Sequence, residues 1–151
     1  MLLPALLLGV AAGLRTMTAP AAASWAARCG VLPVAGTRLA FMGYRYTPWI
    51  FTFLALGELV TDKLPITPSR KTPPQFLGRL ISGSLVGATA AASTRALVPG
   101  LLAGALGATA GTLGGAALRS KLAAEFGKDL PAALLEDGVA VALSTFTAKG
   151  R

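Results

Sequence analysis

The stretch WIFTFLALGELVTD, residues 49–62, decides how the chain is read. It opens on an aromatic residue, is almost wholly apolar, and yet carries Glu58 and Asp62. A second stretch of the same kind, PAALLEDGVAVALSTF at residues 131–146, carries Glu136 and Asp137, so four of the six acidic residues lie within or beside apolar runs. A carboxylate at bilayer depth costs roughly 2.5–3.5 kcal/mol on insertion scales, and a membrane chain that keeps several of them points to a use for them. From Trp49, Glu58 lies about 13 Å along a helix, near mid-bilayer, and Asp62 one turn further shares its face.

Composition agrees with a membrane setting. Hydrophobic residues make up 54% and charged residues 13% of 151, and mean hydropathy is +0.65; soluble domains carry about 25% charged residues. One transmembrane domain over residues 1–151 is expected. The net charge of +8 comes from Lys and Arg lying between apolar segments, which suits anchors to lipid head groups and argues against a nucleic-acid partner. Cys29 is the single cysteine and there is no histidine, so no internal disulfide, Ser-His pair or Cys-His pair can be built, and a transition-metal or zinc site is not expected. With no phosphate-cradling glycine loop ahead of a lysine either, the sequence gives no enzyme signature and implies no cofactor.

Along the chain, the apolar run from Leu2 to Leu14 is too short to cross a bilayer as helix, spanning about 20 Å of a core of about 30 Å. It is followed by Arg15-Thr16-Met17-Thr18-Ala19-Pro20 and a second small-residue run to Ala27. Pro20 cannot donate to the Thr16 carbonyl, so a helix running through here should kink or break, which at membrane depth requires protein or a water-filled cavity to satisfy the freed backbone. A cleaved signal peptide is the rival reading, but Arg15 follows the apolar run and no basic residue precedes it. Residues 29–48 read as a loop with an interfacial piece at LAFMGYRY, and Tyr44, Tyr46 and Trp49 mark a water boundary. KLPITPSRKTPP, residues 63–74, reads as a stiff basic connector. A third span is expected from Leu80 to Val98, separated by Pro99 from a fourth over Gly100–Leu118. A polar turn over residues 119–129 precedes a last span opened by Pro131 and ending near Ala148. The expected fold is therefore an all-α polytopic transmembrane bundle of about five apolar segments, the first of them broken.

Gly9 with Gly13, and Gly107, Gly111 and Gly115, recur at four-residue spacing and should permit close helix packing, within one subunit or between copies in a homo-oligomer. PALLLGVAAG from Pro4 also aligns with PGLLAGALGA from Pro99, and each is followed by an acid-bearing span. With halves 1–62 and 99–148 joined by the loop 63–74 and the span 80–98, this pattern suggests an inverted repeat. The sidedness of the basic residues is nearly balanced: Lys63, Arg70, Lys71, Arg79, Arg119, Lys121 and Lys128 face Arg28, Arg38, Arg45, Arg95, Lys149 and Arg151.

The polar residues admit two functions. Glu58, Asp62, Glu136 and Asp137 suit a proton relay or a hard cation in a small transporter or channel, with Arg15, Thr16 and Thr18 as a site for a solute anion at the start of a half-helix. Alternatively Arg15 or Arg95 neutralises a carboxylate, the break is capped by a hydroxyl, and the buried charges are structural ion pairs of a non-catalytic scaffold.

The runs GLRTMTAPAAASWAAR (13–28), LAFMG (39–43), LALGELVTDKLPITPSR (54–70) and DLPAALLEDGVAV (129–141) together resemble the small bacterial membrane proteins grouped as domain of unknown function 4126. The resemblance covers nearly the whole chain. It implies a multi-pass bacterial membrane protein and carries no activity over to individual residues; for such a chain the inner membrane is the expected location and membrane lipids the expected partners.

Overall fold

The computed structural model describes residues 2–62, 72–94, 96–127 and 129–149, and the regular secondary structure among these is helical. Six α-helices are present among the described residues: α1 (Leu2–Leu14), α2 (Thr18–Arg28), α3 (Thr47–Thr61), α4 (Pro73–Ala91), α5 (Leu97–Phe126) and α6 (Asp129–Lys149). Short 3-10 turns occur at Ala40–Gly43 and Ala92–Thr94. α5, with 30 residues and a mean hydropathy of 1.5 over its most apolar window, is long and apolar enough to cross a membrane; α1 and α3 are shorter apolar helices. Lys63, Arg70, Lys71, Arg95, Lys128 and Arg151, on which the balance of basic residues partly rested, lie outside the described residues, as does most of the connector 63–74.

Several boundaries differ from expectation, each for a local reason. The first segment is two helices joined by Arg15–Met17, and Pro20 sits in the first turn of α2, where the first four N–H groups of a helix have no partner within it. For the same reason Pro73 and Pro74 open α4 instead of closing the connector, and Pro99 lies in the first turn of α5 instead of separating two spans. The polar run from Arg119 to Glu125 continues α5, which stops at Phe126 because Gly127 takes up a left-handed conformation (φ 63°).

The centre of the fold is α1, α4 and α5. Their facing surfaces carry glycine, and their backbones touch. A Cβ added at Gly9 would overlap the Gly104 carbonyl, one at Gly13 the Ala108 carbonyl, and one at Gly107 or Gly111 the backbone of Leu6 or Val10. On its other flank, Gly104 meets Gly83 and Gly87 of α4. Gly115 lies against Leu14 and Glu136. Small residues are what permit such approach, and Ala5, Leu8, Ala12, Val86 and Ala103 fill the remaining core.

These contacts fix helix direction. From Gly9 on Gly104 to Gly13 on Ala108, α1 and α5 advance together and are parallel; from Gly83 on Ala108 to Gly87 on Gly100, α4 and α5 are antiparallel. The expected inverted repeat is thereby corrected, since its two aligned segments should run in opposite senses. The alignment that matched Pro4 with Pro99 instead pairs residues that touch. α1 and α5 resemble each other because each presents small residues to the other at the same register.

Candidate functional site

Interrupting a helix inside a protein strands the carbonyls of one end and the N–H groups of the next. At Arg15–Met17 both sets are bonded by side chains from other helices. Arg79 of α4, 1% exposed, donates from Nη1 to the carbonyls of Gly13 (2.5 Å) and Leu14 (2.7 Å), and Thr112 of α5 also donates to Gly13 (3.2 Å). Glu58 of α3 accepts from the backbone N–H of Thr16 (2.7 Å) and of Met17 (2.8 Å), one on each carboxylate oxygen. The Thr16 carbonyl, the acceptor that Pro20 cannot serve, takes the Ser82 hydroxyl of α4.

The electrostatics match the helix ends. A guanidinium sits where the α1 dipole is negative and a carboxylate where the α2 dipole is positive, and the two groups lie 3.9 Å apart, from Arg79 Nη2 to Glu58 Oε1. Arg15 lies between the two half-helices and is also 1% exposed. Its Nη1 donates to Asp62, just beyond α3, at 2.6 Å, and its Nε to Asp137 of α6 at 2.7 Å; Nη2 also contacts Asp137. Two guanidiniums and three carboxylates from α3, α4, α6 and the break thus share one buried site. Charged groups at this depth persist only when paired and hydrogen-bonded.

Of the four expected carboxylates, the structure brings three to the break: Asp62 and Asp137 on Arg15, and Glu58 on the Thr16 and Met17 N–H groups. Glu136, next to Asp137 on the chain, points around the other side of α6 toward α5. There its Oε2 lies 3.9 Å from Arg119, at the edge of a small cavity shared with Leu14, Gly115, Leu118 and Val139. Of the residues expected to hold an anion, Thr16 contributes its backbone N–H, and the anion it holds is the chain's own Glu58. Thr18 opens α2 and is buried, and no side-chain bond caps that helix at its N-cap, Met17, so the cap is a carboxylate from α3 and not a local hydroxyl. Arg95, the alternative partner for a carboxylate, lies outside the described residues. No group of three metal-ligating side chains occurs among the described residues.

Arg79, Ser82 and Thr112 were not singled out in the sequence. A signal for Arg79 exists: on a helix it shares a face with Ser82, Gly83, Val86 and Gly87, the small-residue side that must pack, so its head group has to find acceptors inside. α2 and α3 are further held together by Trp25, whose Nε1 donates to Thr52 Oγ1 at 3.1 Å and whose ring meets Trp49 edge-on at 5.2 Å.

The chain matches the family model described as Domain of unknown function (DUF4126) over residues 2–149 and belongs to that family. No curated protein and no solved structure matches it.

Proposed function

We propose that this member of the DUF4126 family is a multi-pass protein of the bacterial inner membrane, and that the α1–α2 break is a charge-latched gate through which a small solute or ion moves with a proton or cation. The distribution of side chains supports the membrane setting. Arg15 and Arg79 are among the most deeply buried residues, while Ile50, Phe53, Leu56, Leu106, Val139 and Phe146 are exposed, the reverse of a chain folded against water.

The observation that carries the gate is the sharing of one guanidinium, that of Arg15, between carboxylates delivered by α3 and α6. A proton or hard cation taken up by Asp62 or Asp137 competes with Arg15 for the same oxygens. Its arrival weakens the tie between the break and one of the two helices, which is the coupling a carrier needs. The test is Asp137→Asn in proteoliposomes holding a pH-sensitive dye. Wild type is expected to collapse an imposed pH gradient, and the variant to lose most of that flux while keeping its helical circular dichroism. A wild type that leaves proton, Na⁺ and organic-anion gradients intact sinks the gate.

A second reading is favoured by one specific observation: the Gly13, Leu14 and Thr16 carbonyls and the Thr16 and Met17 N–H groups all have protein partners. Backbone groups bonded in this way require no ligand, and the protein is then a membrane scaffold, stable with a partner or as a homo-oligomer, whose charges lock the bundle. Under that reading Asp137→Asn lowers thermal stability and no solute changes it.

A further inference from the structure

All six acidic residues lie at Glu58 or later in the chain, so Arg28, Arg38 and Arg45 occupy a segment with no carboxylate of its own. All three are exposed, and none makes an ion pair among the described residues. Two of them are nevertheless held together. Arg28 donates from Nη1 to the Arg45 carbonyl, and the Arg45 guanidinium lies over the Tyr46 ring, 5.8 Å from its centroid. The segment is anchored from beneath by the Met42 side chain, fully buried against Ser24, and by Thr47, whose hydroxyl donates to the Phe41 carbonyl at 2.7 Å.

Directly after this basic segment comes an aromatic and apolar face. Tyr44 and Tyr46 are about two-thirds exposed (64% and 68%), and Trp49, Ile50 and Phe53 follow on the first turns of α3, Phe53 at 70%. From Arg45 onward along the chain, the exposed side chains pass from guanidinium to phenol and indole to hydrocarbon. That is the order of layers in a bilayer leaflet from phosphate to acyl chain.

We propose that Arg28, Arg38 and Arg45, with Tyr44, Tyr46 and Trp49, form a docking surface for anionic phospholipid, the phosphate lying on the arginines and the acyl chains against Trp49, Ile50 and Phe53. The inference rests on the membrane setting proposed above and is independent of transport. Charge complementarity selects the occupant: three exposed cations make no ion pair among the described residues, and each contributes roughly fivefold to the preference for an anionic surface.

The test is native mass spectrometry of the full chain released from nanodiscs made of equal parts phosphatidylglycerol and phosphatidylcholine. Wild type should retain phosphatidylglycerol in preference to phosphatidylcholine, with the preference falling as salt rises. Arg28→Gln/Arg38→Gln/Arg45→Gln should lose the preference, whereas Lys121→Gln, an exposed lysine on α5, should keep it. Should the triple variant misfold, Arg45→Gln alone replaces it and should weaken the preference. Equal retention of the two lipids by wild type overturns the proposal and leaves the basic face to an acidic protein segment. A chain that does not enter these nanodiscs overturns the membrane setting itself.

Discussion

The glycine seam of α1, α4 and α5 and the break between α1 and α2 are both buried, yet they are held by opposite means. In the seam, the absence of side chains lets backbone lie on backbone, and specificity comes from shape. At the break the backbone is opened, and long charged side chains from other helices reach in to close it. A seam of the first kind is intolerant of added atoms. One of the second kind is intolerant of unbalanced charge, and the contrast can be tested from both sides.

The largest effect is expected at the break. Arg15→Met leaves Asp62 and Asp137 without their shared cation, a change that in buried pairs costs about 3–5 kcal/mol. Thermal unfolding in detergent should show a large drop, and adding Asp62→Asn and Asp137→Asn to the same chain should recover much of it. If the single variant unfolds with wild type, Arg15 is not what holds those carboxylates. In the seam, Gly104→Ala forces a methyl against the Gly83 carbonyl, and overpacking of this kind costs about 1–3 kcal/mol. Gly57→Ala is its control: nothing lies within 4 Å of the added atom, and replacing a helical glycine by alanine favours the helix by up to about 1 kcal/mol. Equal melting temperatures for the two variants would remove the distinction between facing and outward glycines. The smallest loss is expected for Glu58→Gln, which keeps one oxygen for an N–H but turns an amide donor toward the other, at about 1–2 kcal/mol. Hydrogen exchange at Thr16 and Met17 reads this directly, and unchanged protection there would count against Glu58 as the cap.

Much of this site was legible because charge stands out in apolar sequence. Arg15, Glu58, Asp62 and Asp137 are visible in runs of Leu, Ala and Val, and Pro20 announces that the Thr16 carbonyl needs another donor. The donor's identity, Ser82, was not legible, since pairing across 66 positions is set by which helix faces which. Arg79 was hidden by its position near a helix start after a basic connector, where an arginine ordinarily meets head groups. Glu136 and Asp137 looked like one site because they are adjacent, although neighbouring residues on a helix point about 100° apart. The resemblance between the two chain ends was real in the letters and misleading in the geometry. Glycine and alanine recur wherever two helices must touch, and here the two similar segments touch each other.

Gly104 carries one last consequence. Helices that meet through side chains can roll or slide as those side chains change rotamer, but at Gly104 the backbones of α1, α4 and α5 abut with nothing between them to rearrange. These three helices form a keel. A helix rearrangement that preserves this seam must be taken up outside it, at the α1–α2 break, where hydrogen bonds and ion pairs to side chains of other helices stand in place of backbone contact.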